Sequence, residues 1–323
     1  MKKIHIMKIL KFQFNLKELN ILLAALILSS SCRTSTDKST LIFNDYPDLK
    51  IGFTTQNFQK AMPLSVENLD EIIGFAAKEG FQFIELRDDL AALSIDECKR
   101  VSDFAKKNQI EVIYEIQKNP LDSGYLRVFV KALDNTAQFY PGILRVMISK
   151  SEFVINPEKK GWTREEFLRL TKVVDSCAAV AEARGLRLII ENSDESFFGD
   201  GSSYYGLTDF FMNTTKTGFQ YDLSNPFRKS SRVKSDPDEV MEFLSNLGSR
   251  WVASHIKTIQ QTGGEMQPVL TENPLPVEDV INLMGELKVS YVALELLAVD
   301  EKEQCFNNHK TSITFLRDKK ILK

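Results

Sequence analysis

Cysteine is nearly absent from this chain: there are four in 323 residues, with no CxxC pair among them. That excludes a disulfide framework and the common zinc-ligand spacings. Cys98, Cys177 and Cys305 stand in "IDECKRV", "VDSCAAVA" and "EQCFNNH", segments that read as helices, so these thiols are expected to pack rather than react. Glycine-rich phosphate turns are missing too. There is no GxGxxG and no GxxxxGK[ST], the backbone cradles of dinucleotides and nucleoside triphosphates. Positive charge is in deficit. Residues 1–31 hold five lysines and one glutamate, which leaves 36 Lys and Arg against 43 Asp and Glu in the remainder. Binding a phosphate backbone needs a basic face, so no nucleic-acid partner is expected. Histidine is scarce as well: beyond residue 31 only His255 and His309 remain.

What is present begins with an export signal. "MKKIHIMKILKFQFNLK" is basic, "LNILLAALILSS" is apolar, and "SSSC" follows. This is the order of a secretory signal, here residues 1–31, and its apolar run is short for a membrane span. Ser29, Ser30, Ser31 and Cys32 resemble a bacterial lipoprotein processing site, with the leucine, Leu28, one place further upstream than usual. Cys32 is therefore the expected lipidation site, against the alternative of an ordinary secretory peptide with an incidental cysteine. The expectation is a lipoprotein of the bacterial cell envelope, periplasmic or surface-exposed, touching the membrane through its anchor only. Residues 32–48, with the polar "RTSTDKST", read as a tether.

From residue 49 to 323 apolar strands alternate with amphipathic helices. "LKIGFTTQNF", "FQFIELRDD", "IEVIYEIQ", "ILRVMISK", "LRLIIEN", "GFQYDLSN", "WVASHIKT" and "VSYVALELL" read as strands, each followed by a segment of helical period. Capping boxes start two of the helices, at Ser94…Glu97 and Thr163…Glu166. Eight such units in this length predict a single (β/α)8 barrel, a TIM-barrel α/β fold. The competing open, doubly wound sheet usually carries the glycine-rich turn that is missing here. Helix-to-strand joints are short, whereas "ENSDESFFGDGSSYYG", "DLSNPFRKSSRVKSD" and "IKTIQQTGGEMQPVLTENPL" are long strand-to-helix joints. They emerge at the strand C-terminal ends, where barrel active sites lie.

Four of those ends carry Glu191, Asp222, His255 and Glu295. Two of them alone have a plain structural explanation, Glu191 as a solvated strand terminus and Asp222 as the start of a turn in "DLSNP", whereas His255 is the more informative as one of two histidines beyond residue 31. Glu295 lies between Leu294 and Leu296, where an unpaired inward carboxylate is costly. Four on successive strands make a mixed oxygen and nitrogen set suited to one Mn2+, Mg2+, Co2+ or Zn2+ ion.

The ordered segments "IELRDD", "LIIENS", "YDLSN", "SHIKT" and "ALELL" resemble the xylose isomerase-like TIM barrels of the sugar (phosphate) isomerase/epimerase superfamily, over residues 49–323. The resemblance implies that Glu191, Asp222, His255 and Glu295 bind one divalent metal, and that Glu191 and Glu295 form the acid/base pair of an epimerase. Ser193 stands where that family often has His, Asn225 stands at another frequent His position, and Thr258 replaces the usual Asp after "HIK". The implied metal set is intact and the substrate shell is altered. Proton removal next to a sugar carbonyl suits such a site: the metal stabilises the enediolate, and one carboxylate takes the proton while another returns it.

Candidate substrate contacts are Glu85 and Arg87 on one face of the second strand, Lys150 after the fourth, and Asn192, Asn225 and Lys257. Arg87 and Lys150 could equally form a structural ion pair across the mouth. The cations of "FRKSSRVK" read as a solvated loop. Phe197, Phe198, Tyr204 and Tyr205 read either as a lid or sugar-stacking platform or as loop packing. The leading expectation is a metal-dependent isomerase or epimerase of a small, non-phosphorylated sugar or keto-sugar. The alternatives are a keto-glycoside lyase using the same carboxylates and a non-catalytic sugar-binding lipoprotein. A phosphodiesterase acting on abasic DNA is excluded by the histidine count and the acidic charge.

Overall fold

A computed structural model describes residues 40–148, 162–192, 207–227, 237–259, 264–272 and 275–323. Eight parallel strands close on themselves in sequence order: β1 (Lys50–Thr54), β2 (Phe83–Arg87), β3 (Glu111–Gln117), β4 (Ile143–Met147), β5 (Arg187–Glu191), β6 (Gly218–Asp222), β7 (Trp251–Ile256) and β8 (Tyr291–Leu294). β8 pairs back to β1 through Lys50↔Tyr291 to Phe53↔Leu294. Among the described residues, one α-helix follows each strand: α1 (Val66–Glu79), α2 (Ile95–Lys107), α3 (Tyr125–Thr136), α4 (Arg164–Ala183), α5 (Leu207–Met212), α6 (Pro237–Leu247), α7 (Val277–Glu286) and α8 (Lys302–Asp318). This is the expected (β/α)8 barrel. The capping boxes of α2 and α4 form as read, with Ser94 and Thr163 at the N-caps.

The first strand is shorter than its apolar run. At Thr54 the hydroxyl accepts from the Gln56 N–H, and a 3-10 turn, Thr55–Phe58, replaces further strand. The packed chain also begins before β1: Leu41 and Phe43 are buried, and Phe43 bridges to Leu322. Cys98, Cys177 and Cys305 are free, buried and helical.

The barrel interior is layered by strand period. Inward positions repeat every second residue, so Phe83, Ile113, Ile143, Ile189, Ala253 and Tyr291 form an apolar layer. Gly52 makes room there, since a Cβ on it would stand 2.5 Å from the Phe83 ring. Two residues further along the strands, the same faces present Glu85, Glu115, Arg145, Glu191 and His255, all fully buried. The larger apolar core lies between the sheet and the helices.

Candidate metal and active site

Closure of the sheet brings Glu191, Asp222, His255 and Glu295 together. One ligand atom from each lies within 4.8 Å of the others, and all four residues are buried. His255 Nδ1 is 2.7 Å from Glu191 Oε1, 2.7 Å from Glu295 Oε2 and 3.7 Å from Asp222 Oδ2. Yet Nδ1, Glu191 Oε1 and Asp222 Oδ2 take part in no hydrogen bond of proper geometry. Buried polar atoms seldom lack such a bond, and those that do call for an explanation such as an ion. These atoms crowd about one point, with Asp222 Oδ2 also paired to Lys257 Nζ, and their chemistry fits a divalent cation.

The other end of each donor is tied down. Glu191 Oε2 accepts from Arg145 Nη1. Asp222 Oδ1 accepts from the backbone N–H of Ser224 at 2.8 Å and of Asn225 at 2.9 Å. His255 Nε2 lies 2.5 Å from Glu85 Oε2, and Gln220 Nε2 donates to Glu85 Oε1 at 2.9 Å. Lys257 Nζ sits 2.6 Å from Asp222 Oδ2 and donates to Glu295 Oε1 at 3.2 Å. Such outer partners fix tautomer and orientation in metal sites.

Among the described residues, five of the six buried carboxylates (Glu85, Glu115, Glu191, Asp222 and Glu295, but not Asp88) share the interior with two buried basic side chains, Arg145 and Lys257. Arg87 adds a third at the edge, with Nε 3.8 Å from Glu115. Burial alone pushes the His255 imidazole down, but the Glu85 and Glu191 carboxylates override it and hold it well above its ordinary range. Burial pushes Glu85 up, and the His255 and Arg145 charges bring it below the usual carboxylate value. Glu295 is pushed up by burial and driven well down by Lys257 and His255. Glu115 stays raised, because burial outweighs Arg145 and Arg87. The interior favours positive charge at its centre.

The remaining anticipated residues divide. Asn192 bridges two strand ends: its Nδ2 donates to Asp222 O at 3.0 Å and its Oδ1 accepts from Asp222 N at 2.6 Å. Asn225 Nδ2 donates to Asn192 O at 2.8 Å. Both therefore hold Asp222 in place. Arg87 pairs with Asp89 at 2.6 Å and donates to Gln56 and Gln117. It lines a rim cavity of about 360 Å³ with Gln59, Met62, Asn68 and Asp88. This cavity is lined from the segments that follow β1 and β2, and none of the four donors lines it. Lys150, Cys32, Ser193, the four loop aromatics and the "RKSSRVK" cations lie outside the described residues.

Reading the sequence missed Arg145 and Glu115. Each is a charged residue inside an apolar strand, "ILRVM" and "EVIYEIQ". Burying either alone is prohibitive, so the pair itself is the signal: register sets Glu115 opposite Arg145, and Arg145 Nη2 contacts Glu115 Oε2.

No protein-family model matches the chain, and no curated protein matches it in sequence. Solved structures do match in fold. D-psicose 3-epimerase from Clostridium cellulolyticum H10, crystallised with D-tagatose, superposes with a TM-score of 0.60 at 13% identity, covering 84% of this chain and 99% of its own. A sugar phosphate isomerase/epimerase from Parabacteroides distasonis ATCC 8503 gives 0.59 at 14% identity over 84% and 94%. A xylose isomerase-like TIM barrel protein from Mycobacterium smegmatis, in complex with magnesium, gives 0.59 at 15% identity over 84% and 97%. At these identities the likeness establishes the fold.

Proposed function

We propose that this protein is a divalent-metal-dependent isomerase or epimerase acting on a non-phosphorylated sugar or keto-sugar. The observation that carries the reading is the convergence of Glu191 Oε1, Asp222 Oδ2, His255 Nδ1 and Glu295 at one buried point, three of these atoms lacking a hydrogen bond. The superposed ketose epimerase and the magnesium-bound barrel support it by analogy of fold. A divalent ion held by these four residues would supply Lewis-acid stabilisation of charge developing on a sugar carbonyl and its neighbouring hydroxyl oxygens.

The chain's own groups do the rest. Glu191 and Glu295 each have one oxygen tied to a cation, Arg145 or Lys257, and the other turned to the centre. One takes the proton from the carbon next to the carbonyl and the other returns it on the opposite face, inverting the centre. Glu85 orients the His255 ring from behind. The test is protein loaded with Mn2+ and offered ketoses and keto-glycosides in D2O. Wild type should incorporate deuterium next to the carbonyl, and Glu295→Gln should lower exchange and turnover by about 10² to 10⁴. Full activity in Glu295→Gln would remove the two-carboxylate mechanism.

We further propose that the protein is held in the bacterial envelope by an acylated Cys32. Detergent-phase partition should be lost in Cys32→Ala, and unchanged partition would end this reading.

A further inference from the structure

Glu295 stands one residue beyond the end of β8. Its own N–H still donates to Ile256 O on the β7 side, at 3.0 Å. On the other side the ladder has run out, because β1–β8 pairing stops at Phe53↔Leu294. Successive residues of a strand point their peptide groups to alternate sides, so Leu294 C=O and Leu296 N–H both face the missing partner. One side chain takes its place. Asn57, in the turn after β1, donates from Nδ2 to Leu294 O at 3.0 Å and accepts at Oδ1 from Leu296 N at 2.9 Å. Both peptide groups that flank Glu295 are thus fixed by one amide.

The orientation of that amide is itself determined. His309, on α8, has Nδ1 2.7 Å from Cys305 O and Nε2 2.9 Å from Asn57 Nδ2. A carbonyl can only accept, so Nδ1 carries the proton and Nε2 is a bare acceptor. Asn57 must then present its NH2 to His309 and its oxygen to Leu296. The ring is stacked on Phe58 at 4.8 Å and packed edge-on against Phe53 at 4.7 Å. Burial pushes its pKa down to about 4, so it stays neutral.

We infer that Asn57 is a positioning residue for Glu295, and that neutral His309 sets the amide of Asn57. The geometry stands on its own. Its consequence for metal and turnover rests on the function proposed above. Two measurements keep the two apart. The first is hydrogen exchange of the 294–297 backbone in metal-free, full-length protein of native circular dichroism. Asn57→Ala and Asn57→Leu should each speed Leu296 exchange about tenfold. The second is titration with Mn2+ alone, in which the same variants should weaken binding about ten- to hundredfold, the range for lost outer partners in metal sites. In turnover, kcat should fall by a similar factor with KM nearly constant. Asn57→Leu is nearly isosteric and removes both the donor to Leu294 and the acceptor for Leu296, so it covers the case in which Asn57→Ala fails to fold. His309→Gln, which keeps an acceptor near the Nε2 position, should retain exchange protection and Mn2+ affinity, whereas His309→Leu should lose both. Unchanged exchange in folded Asn57 variants overturns the inference. So does faster exchange with unaltered Mn2+ affinity and kcat, because Asn57 would then be structural only. Should wild type bind no Mn2+, the metal reading falls, and the exchange results alone decide whether Asn57 holds this segment.

Discussion

Strands β5 to β8 and strands β2 to β4 meet in the same interior but bring opposite things to it. Glu191 and Asp222 are the last residues of their strands, His255 is next to last, and Glu295 is one past the end. Of their central atoms, Glu191 Oε1, Asp222 Oδ2 and His255 Nδ1 make no hydrogen bond of proper geometry. Glu85, Glu115 and Arg145 each stand two residues before the end of their strand. Their charges are spent on one another, on Glu191 and on His255. The first half of the barrel compensates and aims; the second half presents. A donor set of this acidity can be assembled in a closed sheet only if counter-charge is buried with it, here Arg145 on the opposite wall and Lys257 just after β7, since an isolated buried charge is prohibitive.

Removing that wall's cation should give the largest effect. Arg145→Met leaves Glu85, Glu115 and Glu191 without a shared partner, and urea denaturation should show a loss of about 3–5 kcal/mol. Adding Glu115→Gln should recover part of it, and a strictly additive double variant would mean that the pair is not coupled. Next comes a control outside both halves. His309 has a folded pKa of about 4 against an unfolded value of about 6.5. Because the folded value is depressed, its contribution is complete above about pH 6.5. It is lost as pH falls toward about 4, where the unfolded chain binds a proton that the folded chain refuses. The loss should reach about 3 kcal/mol across that window, and His309→Gln should flatten it in a pH series of unfolding curves.

Glu85→Gln sharpens the comparison more gently. It keeps the shape behind His255 and removes the charge, so Mn2+ affinity by calorimetry should weaken about ten- to hundredfold while the barrel stays folded. Equal loss of folding and affinity would erase the distinction between aiming and holding. The smallest effect belongs to the surface. Lys302 and Glu71 pair at 2.6 Å but are about half exposed, so Lys302→Ala should shift stability by under about 1 kcal/mol.

The halves also differ in how far the sequence betrays them. Eight alternations of strand and helix sufficed for the closed barrel, because hydrophobic period is a local signal. His255, one of two histidines beyond residue 31, and carboxylates at strand ends stood out against apolar runs. Arg145 and Glu115 did not, because a single charge within a strand gains meaning only from its cross-strand neighbour, and register is not written in either strand alone. Asn57 was less visible still: its partners lie more than 230 residues away, and nothing near it in the chain distinguishes it from a turn-forming asparagine. Leu41 and Phe43, placed by composition in a tether, pack because α1 and the chain end cover them.

The apolar layer beneath the charged one has an electrical consequence. Phe83, Ile113, Ile143, Ile189 and Tyr291 stop water from entering the barrel from below, so the carboxylates above them act in a poorly polarisable medium, where Coulomb interactions reach further and are weakly screened. The layer works as an insulator under a charged plate. A molecule approaching from the strand C-terminal ends meets the summed potential of the whole plate, and added salt can dampen that potential only from the same side. Ionic strength should therefore govern the rate at which charged molecules arrive and leave the internal pairing almost untouched.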